Sequence, residues 1–343
     1  MTVSRLTPAP HGFRPVPRTG VIYVMTEAQN QGYKPGSKDW ANLGQGAPET
    51  GKLKNSPERI SKIEVHEDDL EYAPIDGINE LKEAVANLYN ERFRKDKKSK
   101  YTKDNIAICS GGRLALTRLV STLGRGHVGH FLPDYTAYEE LLDAFHTFSA
   151  IPILRSAKHE YDFSSVDLKE EILGRGLSAV LMSNPSNPMG AVVSGENLND
   201  WVKIAREQEC TLIFDEFYSH YIYDSTEPAH SAAKYVEDVD KDPIVIFDGL
   251  TKNWRYPGFR IAWTVAPKAV IEAIASAGSF LDGGCARPMQ RAALELLKLE
   301  NANAESQAIK ETFSIKRALM CERLNDMGII VNPYPRGAFY CWG

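Results

Sequence analysis

Residues 179–190, Ala179-Val180-Leu181-Met182-Ser183-Asn184-Pro185-Ser186-Asn187-Pro188-Met189-Gly190, carry a short apolar run into a turn that two prolines stiffen. No charge interrupts 179–182, which suits a strand buried on both faces, as in a parallel sheet covered by helices. The pattern recurs on either side. Residues 212–214 lead into Asp215-Glu216-Phe217-Tyr218, and 244–247 lead towards Thr251-Lys252-Asn253-Trp254-Arg255-Tyr256-Pro257-Gly258-Phe259-Arg260. Upstream, 106–109 precede Ser110-Gly111-Gly112-Arg113, and 128–132 precede Pro133-Asp134-Tyr135-Thr136-Ala137-Tyr138. With 151–154 and 261–265, seven short runs rich in β-branched residues alternate with helical segments. This rhythm predicts an α/β fold with a mostly parallel seven-stranded sheet flanked by helices.

Outside that core the texture changes. Residues 1–55 are rich in proline and glycine with little periodicity and read as an arm. Ile78, Leu81, Val85 and Leu88 recur at helical spacing up to the basic run 92–100, where positive charge suits a helix C-terminus. Glu91 and Asp96 break that run, so a solvated helix end is preferred to a nucleic-acid patch. Helices are expected at 289–299 and 309–326, followed by a Pro-Gly-rich turn into 338–342. The expected division is an arm and the start of a small domain at 1–55, a large domain at 56–285, and the beginning of a small C-terminal α/β domain at 286–343.

The 343 residues are 43% hydrophobic and 25% charged, which excludes disordered, collagen-like and coiled-coil chains and supports one large or two ordinary domains. A formal charge of −5 gives no whole-chain attraction to nucleic acid or to an anionic membrane. No apolar stretch approaches the roughly 18 to 20 residues that span a bilayer, so the chain is expected to be soluble. Arg5, Arg14 and Arg18 without an acid weakly suggest a transit peptide, but Pro8, Pro10, Pro15 and Pro17 oppose its amphipathic helix. The five cysteines are scattered and form no C-x-x-C pair, which suits reduced thiols in the cytoplasm.

Two glycine and histidine patterns are set aside. Gly124-Arg-Gly-His-Val-Gly129 matches G-x-G-x-x-G, but it follows an expected helix and precedes a strand, the reverse of the dinucleotide-binding order. His127 and His130 stand three apart on a strand and so point to opposite faces, which does not suit a shared metal; no metal site is expected.

Ligands in open α/β sheets bind at the carboxyl edge of the strands, where the polar segments above fall. A desolvated Lys252 can form a Schiff base, and Arg260, eight residues on, can grip a phosphate with two N–H groups. Asp215 at a strand end can pair with a protonated pyridine nitrogen. An Asn amide in the 184–190 turn can donate to a phenolate oxygen. Gly111 and Gly112 expose backbone N–H groups at a helix start, and Tyr135 can stack on a flat ring. Taken singly, Lys252 reads more readily as a surface lysine and Asp215 as a helix cap, and Tyr135 or Tyr138 reads equally well as core.

In combination and order, N-P-x-N-P-x-G, D-E-x-Y and K-x7-R resemble the class I/II aminotransferases, pyridoxal-phosphate enzymes of fold type I in the aspartate aminotransferase superfamily, over about residues 43–343. The resemblance implies that Lys252 forms the Schiff base with pyridoxal 5'-phosphate and then shuttles a proton, and that Asp215 pairs with the pyridine nitrogen. Asn187 and Tyr218 would bond the ring oxygen, and Tyr135 would stack on the ring. Gly111, Gly112, Arg113 and Arg260 would hold the phosphate. Tyr72 matches a tyrosine that reaches the partner subunit's phosphate, which implies a homodimer with shared active sites. Gly46 and Asn187 would lie beside the substrate.

Two departures accompany the resemblance. Gly249 stands where the family usually has a Ser or Thr three residues before the lysine, so one hydroxyl donor is missing and cofactor retention is expected to be somewhat weaker. No residue matches the arginine that clamps the substrate carboxylate, and Arg336 sits too early, so the chain is expected to be truncated, with exposed apolar surface at its end. The implied function is ping-pong transfer of an amino group from an α-amino acid to a 2-oxo acid, catalysed by Lys252, Asp215 and Tyr218. The alternatives are a lyase or synthase of the same fold, similar to 1-aminocyclopropane-1-carboxylate synthase, or an inactive remnant.

Overall fold

The computed structural model describes residues 10–13 and 20–343, so the early arginines Arg5, Arg14 and Arg18 and the prolines Pro8, Pro15 and Pro17 lie outside the described residues. The chain forms two compact units, Met1–Ala47 and Pro48–Gly343.

The first unit contains helix α1 (Gly20–Asn30), where an aperiodic arm was expected. Its apolar residues, Val21 to Met25, are consecutive and wind around the helix, so none is buried and no helical stripe marks the sequence. The Tyr33 ring meets Trp40 edge-on at 5.8 Å in the turn that follows.

The second unit runs through α2 (Asn79–Phe93), β1 (Ile106–Cys109), α3 (Gly112–Thr122), β2 (His127–Leu132), α4 (Ala137–Asp143) and β3 (Ser149–Leu154). It continues through α5 (Ser165–Arg175), β4 (Leu177–Ser183), α6 (Gly195–Glu207), β5 (Thr211–Asp215), β6 (Ile244–Gly249) and β7 (Ala262–Val265). Helices α7 (Lys268–Leu281), α8 (Arg287–Leu296) and α9 (Leu299–Asp326) follow. The strands form one seven-stranded sheet in the order β1-β7-β6-β5-β4-β2-β3. Only β7 runs against its neighbours, pairing antiparallel with β1 and β6, so the other six strands end at one edge. The seven apolar runs are these seven strands, and the mostly parallel sheet is as expected.

Both faces of the sheet are covered except along the edge strand β3, where only Ile153 is fully buried. Along the central strands alternate residues enter opposite layers: Phe214 and Ile246 pack with Trp201 and Trp263, while Ile213, Val245 and Phe247 pack with Leu116 and Ile274. Each layer closes over side chains with almost no exposure, which explains why the strands read as continuous apolar runs. Truncating Trp201, which has 0% exposure, is expected to cost about 3–5 kcal/mol.

Three expectations need correction. The helix expected at 289–299 ends at Leu296, and the one expected to begin at 309 begins at Leu299. The early part of α9 is polar, but Ala302, Glu305 and Ser306 are buried, and Glu305 Oε1 accepts from Arg255 Nε at 2.8 Å, so a long-range ion pair fixes a segment without apolar periodicity. The basic run after α2 is not simply solvated: Arg94 has 0% exposure, and its Nη1 donates to Ala233 O at 2.8 Å and Val236 O at 2.7 Å. The Gly124 motif connects α3 to β2, and of the two histidines His127 is exposed while His130 is buried.

Residues 336–340 lie along the loops after β4 and β5. Arg336 N–H donates to Gly190 O, Tyr223 N–H to Arg336 O and Ala338 N–H to Tyr221 O, at 2.9, 3.0 and 2.9 Å. This lays Phe339 and Tyr340 against the strand ends.

Candidate functional site

Because β4 and β5 are parallel and in register, with Ser183 beside Asp215, their following turns leave the sheet at the same level. Lys252 follows the end of β6, the next strand. Asp215 is held from two sides: Tyr138 Oη donates to its Oδ2 at 2.7 Å, and Phe217 N–H donates to its Oδ1 at 3.2 Å. Burial pushes the Asp215 carboxyl up to about 7, against the hydrogen bonds that favour its charged form.

Burial also brings the Lys252 amine down to about 8. Asp215 opposes that shift, while Arg113 and Arg260 add to it by like-charge repulsion. The lysine therefore stands between one carboxyl and two guanidinium groups, with its Nζ 5.6 Å from the centre of the Phe339 ring. At pH 7 about a tenth of such an amine is unprotonated and nucleophilic, far more than for an ordinary lysine near 10.5.

Asn187 Nδ2 donates to Tyr218 Oη at 3.5 Å, and the Tyr218 and Tyr340 hydroxyls lie 2.6 Å apart. The loop carrying Asn187 is fixed from below: its N–H donates to Ser183 Oγ at 2.9 Å, and the Ser183 hydroxyl donates to Asp134 Oδ1. Asp134 Oδ1 also accepts from Tyr135 N–H at 2.7 Å, so one buried carboxylate ties together the loops bearing Tyr135 and Asn187.

The rim opposite is cationic. Arg113 Nε and Nη2 donate to Tyr135 Oη at 3.2 and 3.1 Å. Gly111 has φ +92°, and a Cβ there would lie 1.9 Å from Arg260 Nη2; a Cβ on Gly112 would lie 2.6 Å from the Phe217 ring. Only residues without side chains leave this space for the arginine and keep the first N–H groups of α3 open. Gly249 also has a steric cause: a Cβ would meet Ile261 O at 2.6 Å and Ala262 Cα at 2.7 Å, so a Ser or Thr hydroxyl has no room beside β7.

Nine of the expected site residues thus come together: Gly111, Gly112, Arg113, Tyr135, Asn187, Asp215, Tyr218, Lys252 and Arg260. Tyr72 is 93% exposed in the segment before α2, and Gly46 belongs to the first unit. The sequence leaves Tyr138 open between core and stacking, whereas in the structure its hydroxyl donates to Asp215. It had no signal for Tyr340, which is separated from Tyr218 by 122 residues.

A family model described as "Aminotransferase class I and II" matches residues 38–343. The aspartate aminotransferase of Streptomyces avermitilis is 26% identical over 275 residues, covering 79% of this chain, and the chain spans 64% of that relative's length. The aspartate aminotransferase of Thermotoga maritima is 27% identical over 275 residues, with 79% of this chain and 68% of the relative covered. Among solved structures, a tetra mutant of the Thermus thermophilus aspartate aminotransferase superposes with a TM-score of 0.68 at 26% identity, covering 78% of this chain and 71% of that one. The same enzyme with maleate shares the fold at a TM-score of 0.75 and 24% identity, over 94% and 81% of the two chains.

Proposed function

Because the chain belongs to the class I and II aminotransferase family, we propose that it moves an amino group from an α-amino acid to a 2-oxo acid in two successive half-reactions at this site. The family generally depends on pyridoxal phosphate, and the residues present suit that group. Gly111 leaves room for the Arg260 guanidinium where a Cβ would stand, Arg113 and Arg260 lie close enough to act on Lys252, and the Asp215 carboxyl and that amine are partly buried. The observation that carries the reading is the Lys252 amine, lowered by burial to about 8 between Asp215 and the arginines.

When bound, the cofactor supplies an electron-accepting ring and a carbonyl carbon. Lys252 is its covalent anchor and afterwards the base that takes a proton from the substrate Cα and returns it elsewhere. Asp215 keeps a positive charge on the ring nitrogen, and a cation placed there draws the carboxyl down from about 7 towards its ionised form. Tyr138 orients that carboxylate. Asn187 and Tyr218 would donate to the ring oxygen, Tyr135 would cover the ring, and Gly111, Gly112, Arg113 and Arg260 would hold the phosphate. Asn187 lines the substrate side.

The protein works as a cytoplasmic homodimer in this proposal, with the exposed Tyr72 reaching the second copy and residues 286–343 beginning a smaller domain. No helix among the described residues is long and apolar enough to cross a membrane, and no nucleic-acid partner is proposed. The named relatives make an acidic donor the first to test. The purified chain is incubated with pyridoxal phosphate, a 2-oxo acid and an acidic, aromatic or neutral L-amino acid. Acceptor-dependent loss of donor nitrogen with parallel initial-rate lines supports the proposal. Ammonia release or elimination products that need no acceptor would assign a lyase instead.

A further inference from the structure

Beneath the strand ends lies a polar cluster to which the proposed chemistry gives no task. Glu216, Ser219, His220, Asp248 and Asn253 are all buried, with His220 and Asn253 at 0% exposure. Asn253 follows Lys252 and is held at both side-chain polar atoms and at its main-chain oxygen. Its Nδ2 donates to Asp248 Oδ1 at 2.7 Å, Glu216 O at 2.9 Å and Ser219 Oγ at 3.0 Å. Its Oδ1 accepts from His220 N–H at 3.0 Å, and its main-chain oxygen lies 2.8 Å from His220 Nδ1.

A carbonyl only accepts, so His220 Nδ1 must carry the proton of that bond. The other ring nitrogen, Nε2, is then an acceptor, and Arg92 Nη1 donates to it at 2.8 Å. Burial, and next the Arg92 charge, hold His220 well below the ordinary imidazole range, consistent with this neutral tautomer. Arg92 is itself fixed by Asn303, whose Oδ1 accepts from its Nε at 3.0 Å, and its buried Nη2 has no partner. One residue further on, Tyr221 Oη donates to Lys252 O at 3.0 Å. Consecutive residues of the β5 loop thus hold the consecutive carbonyls of Lys252 and Asn253.

We propose that His220 is a positioning residue: with its tautomer set by Arg92, its ring clamps the Asn253 peptide and so fixes the direction in which Lys252 leaves β6. The inference rests on Lys252 being the reactive amine. Burying an arginine against a histidine, with one N–H group unsatisfied, costs free energy that an apolar filling of the same space avoids. Oriented attack rewards such rigidity, because misplacing a reacting group by about 1 Å can slow a reaction on the order of a hundredfold.

The test compares the unmutated chain with His220→Ala, His220→Asn and Arg92→Met. Folding is checked by circular dichroism and melting temperature, and the rate of capture of added pyridoxal phosphate is followed as growth of the lysine-bound absorbance band. The expected result is capture slowed on the order of tenfold to a hundredfold in folded His220→Ala. His220→Asn, whose amide replaces the Nδ1 donor, should recover most of the rate even where its melting temperature does not recover. Arg92→Met should be slowed several-fold, and it decides the matter if His220→Ala does not fold. Capture at the unmutated rate in folded His220→Ala, or in Arg92→Met, overturns the inference, as does an Asn variant no faster than the Ala variant. If the unmutated chain captures nothing, the proposed function fails first and the positioning role falls with it.

Discussion

Asp215 and Lys252 stand where parallel strands end, partly buried and framed by Tyr138, Tyr218 and the loops beneath, whereas Arg113 and Arg260 stand exposed on the rim of the same cluster. The inner pair owes its character to burial, which drives acid and amine towards one another until both titrate near neutrality. The rim makes few bonds: Arg260 Nη1 reaches Pro257 O at 3.0 Å, and Arg113 leans on the Tyr135 hydroxyl. One side is shaped before a ligand arrives, and the other supplies charge that a phosphate can order. Rigidity and access are thereby separated across the carboxyl edge of one sheet.

Changes to the inner pair should have the largest consequences. Lys252→Ala should lower amino transfer by on the order of a thousandfold or more while the protein stays folded, because it removes the group proposed as both anchor and base. Asp215→Asn should follow, with a loss on the order of a hundredfold, since an amide cannot fill the role proposed for Asp215 of keeping a positive charge on the ring nitrogen. A single-turnover assay with circular dichroism as control separates these losses from unfolding. At the rim, Arg260→Ala should weaken cofactor binding by about 1.5–3 kcal/mol, the value of a hydrogen bond to a charged group, with little change in melting temperature. It should also sharpen the contrast in a second way. Arg260 is one of the cations that lower Lys252, so its removal should move the midpoint of cofactor capture above the value of about 8. A pH titration of the capture rate measures that shift.

Two smaller effects concern the supports. Tyr138→Phe should reduce activity about tenfold, because it removes the Oδ2 bond to Asp215 while keeping the ring in place. Asp248→Asn should change stability rather than chemistry. Burial raises the Asp248 carboxyl from 3.8 to about 8, so between those values the folded chain holds a proton that the unfolded chain has lost. The unmutated fold should therefore lose stability as pH rises from about 4 to about 8, and the amide variant should show a flatter slope in denaturant titrations across that window.

The sheet and the inner pair were legible for one physical reason. A strand buried on both faces tolerates no charge, so Asp215 and Lys252 stand out where their apolar runs end. The elements that escaped depend on distant partners. Early α9 is held by Glu305 against Arg255, Arg94 is buried by carbonyls more than a hundred residues away, and Tyr340 meets Tyr218 across 122 residues. Helix α1 escaped for the opposite reason, since its apolar residues are contiguous and produce no face. The need for glycine at 249 becomes visible only once β7 lies beside it.

Burial between Asp215 and the rim arginines is proposed to make Lys252 the amine that binds the cofactor covalently. Borohydride treatment of the chain with pyridoxal phosphate, followed by peptide mass analysis across pH 6 to 10, tests it. One stable phosphopyridoxyl adduct on Lys252, rising through about pH 8 and absent from Lys252→Ala, is expected. An adduct spread over surface lysines with a midpoint near 10.5, or one equally strong in the alanine variant, would contradict it.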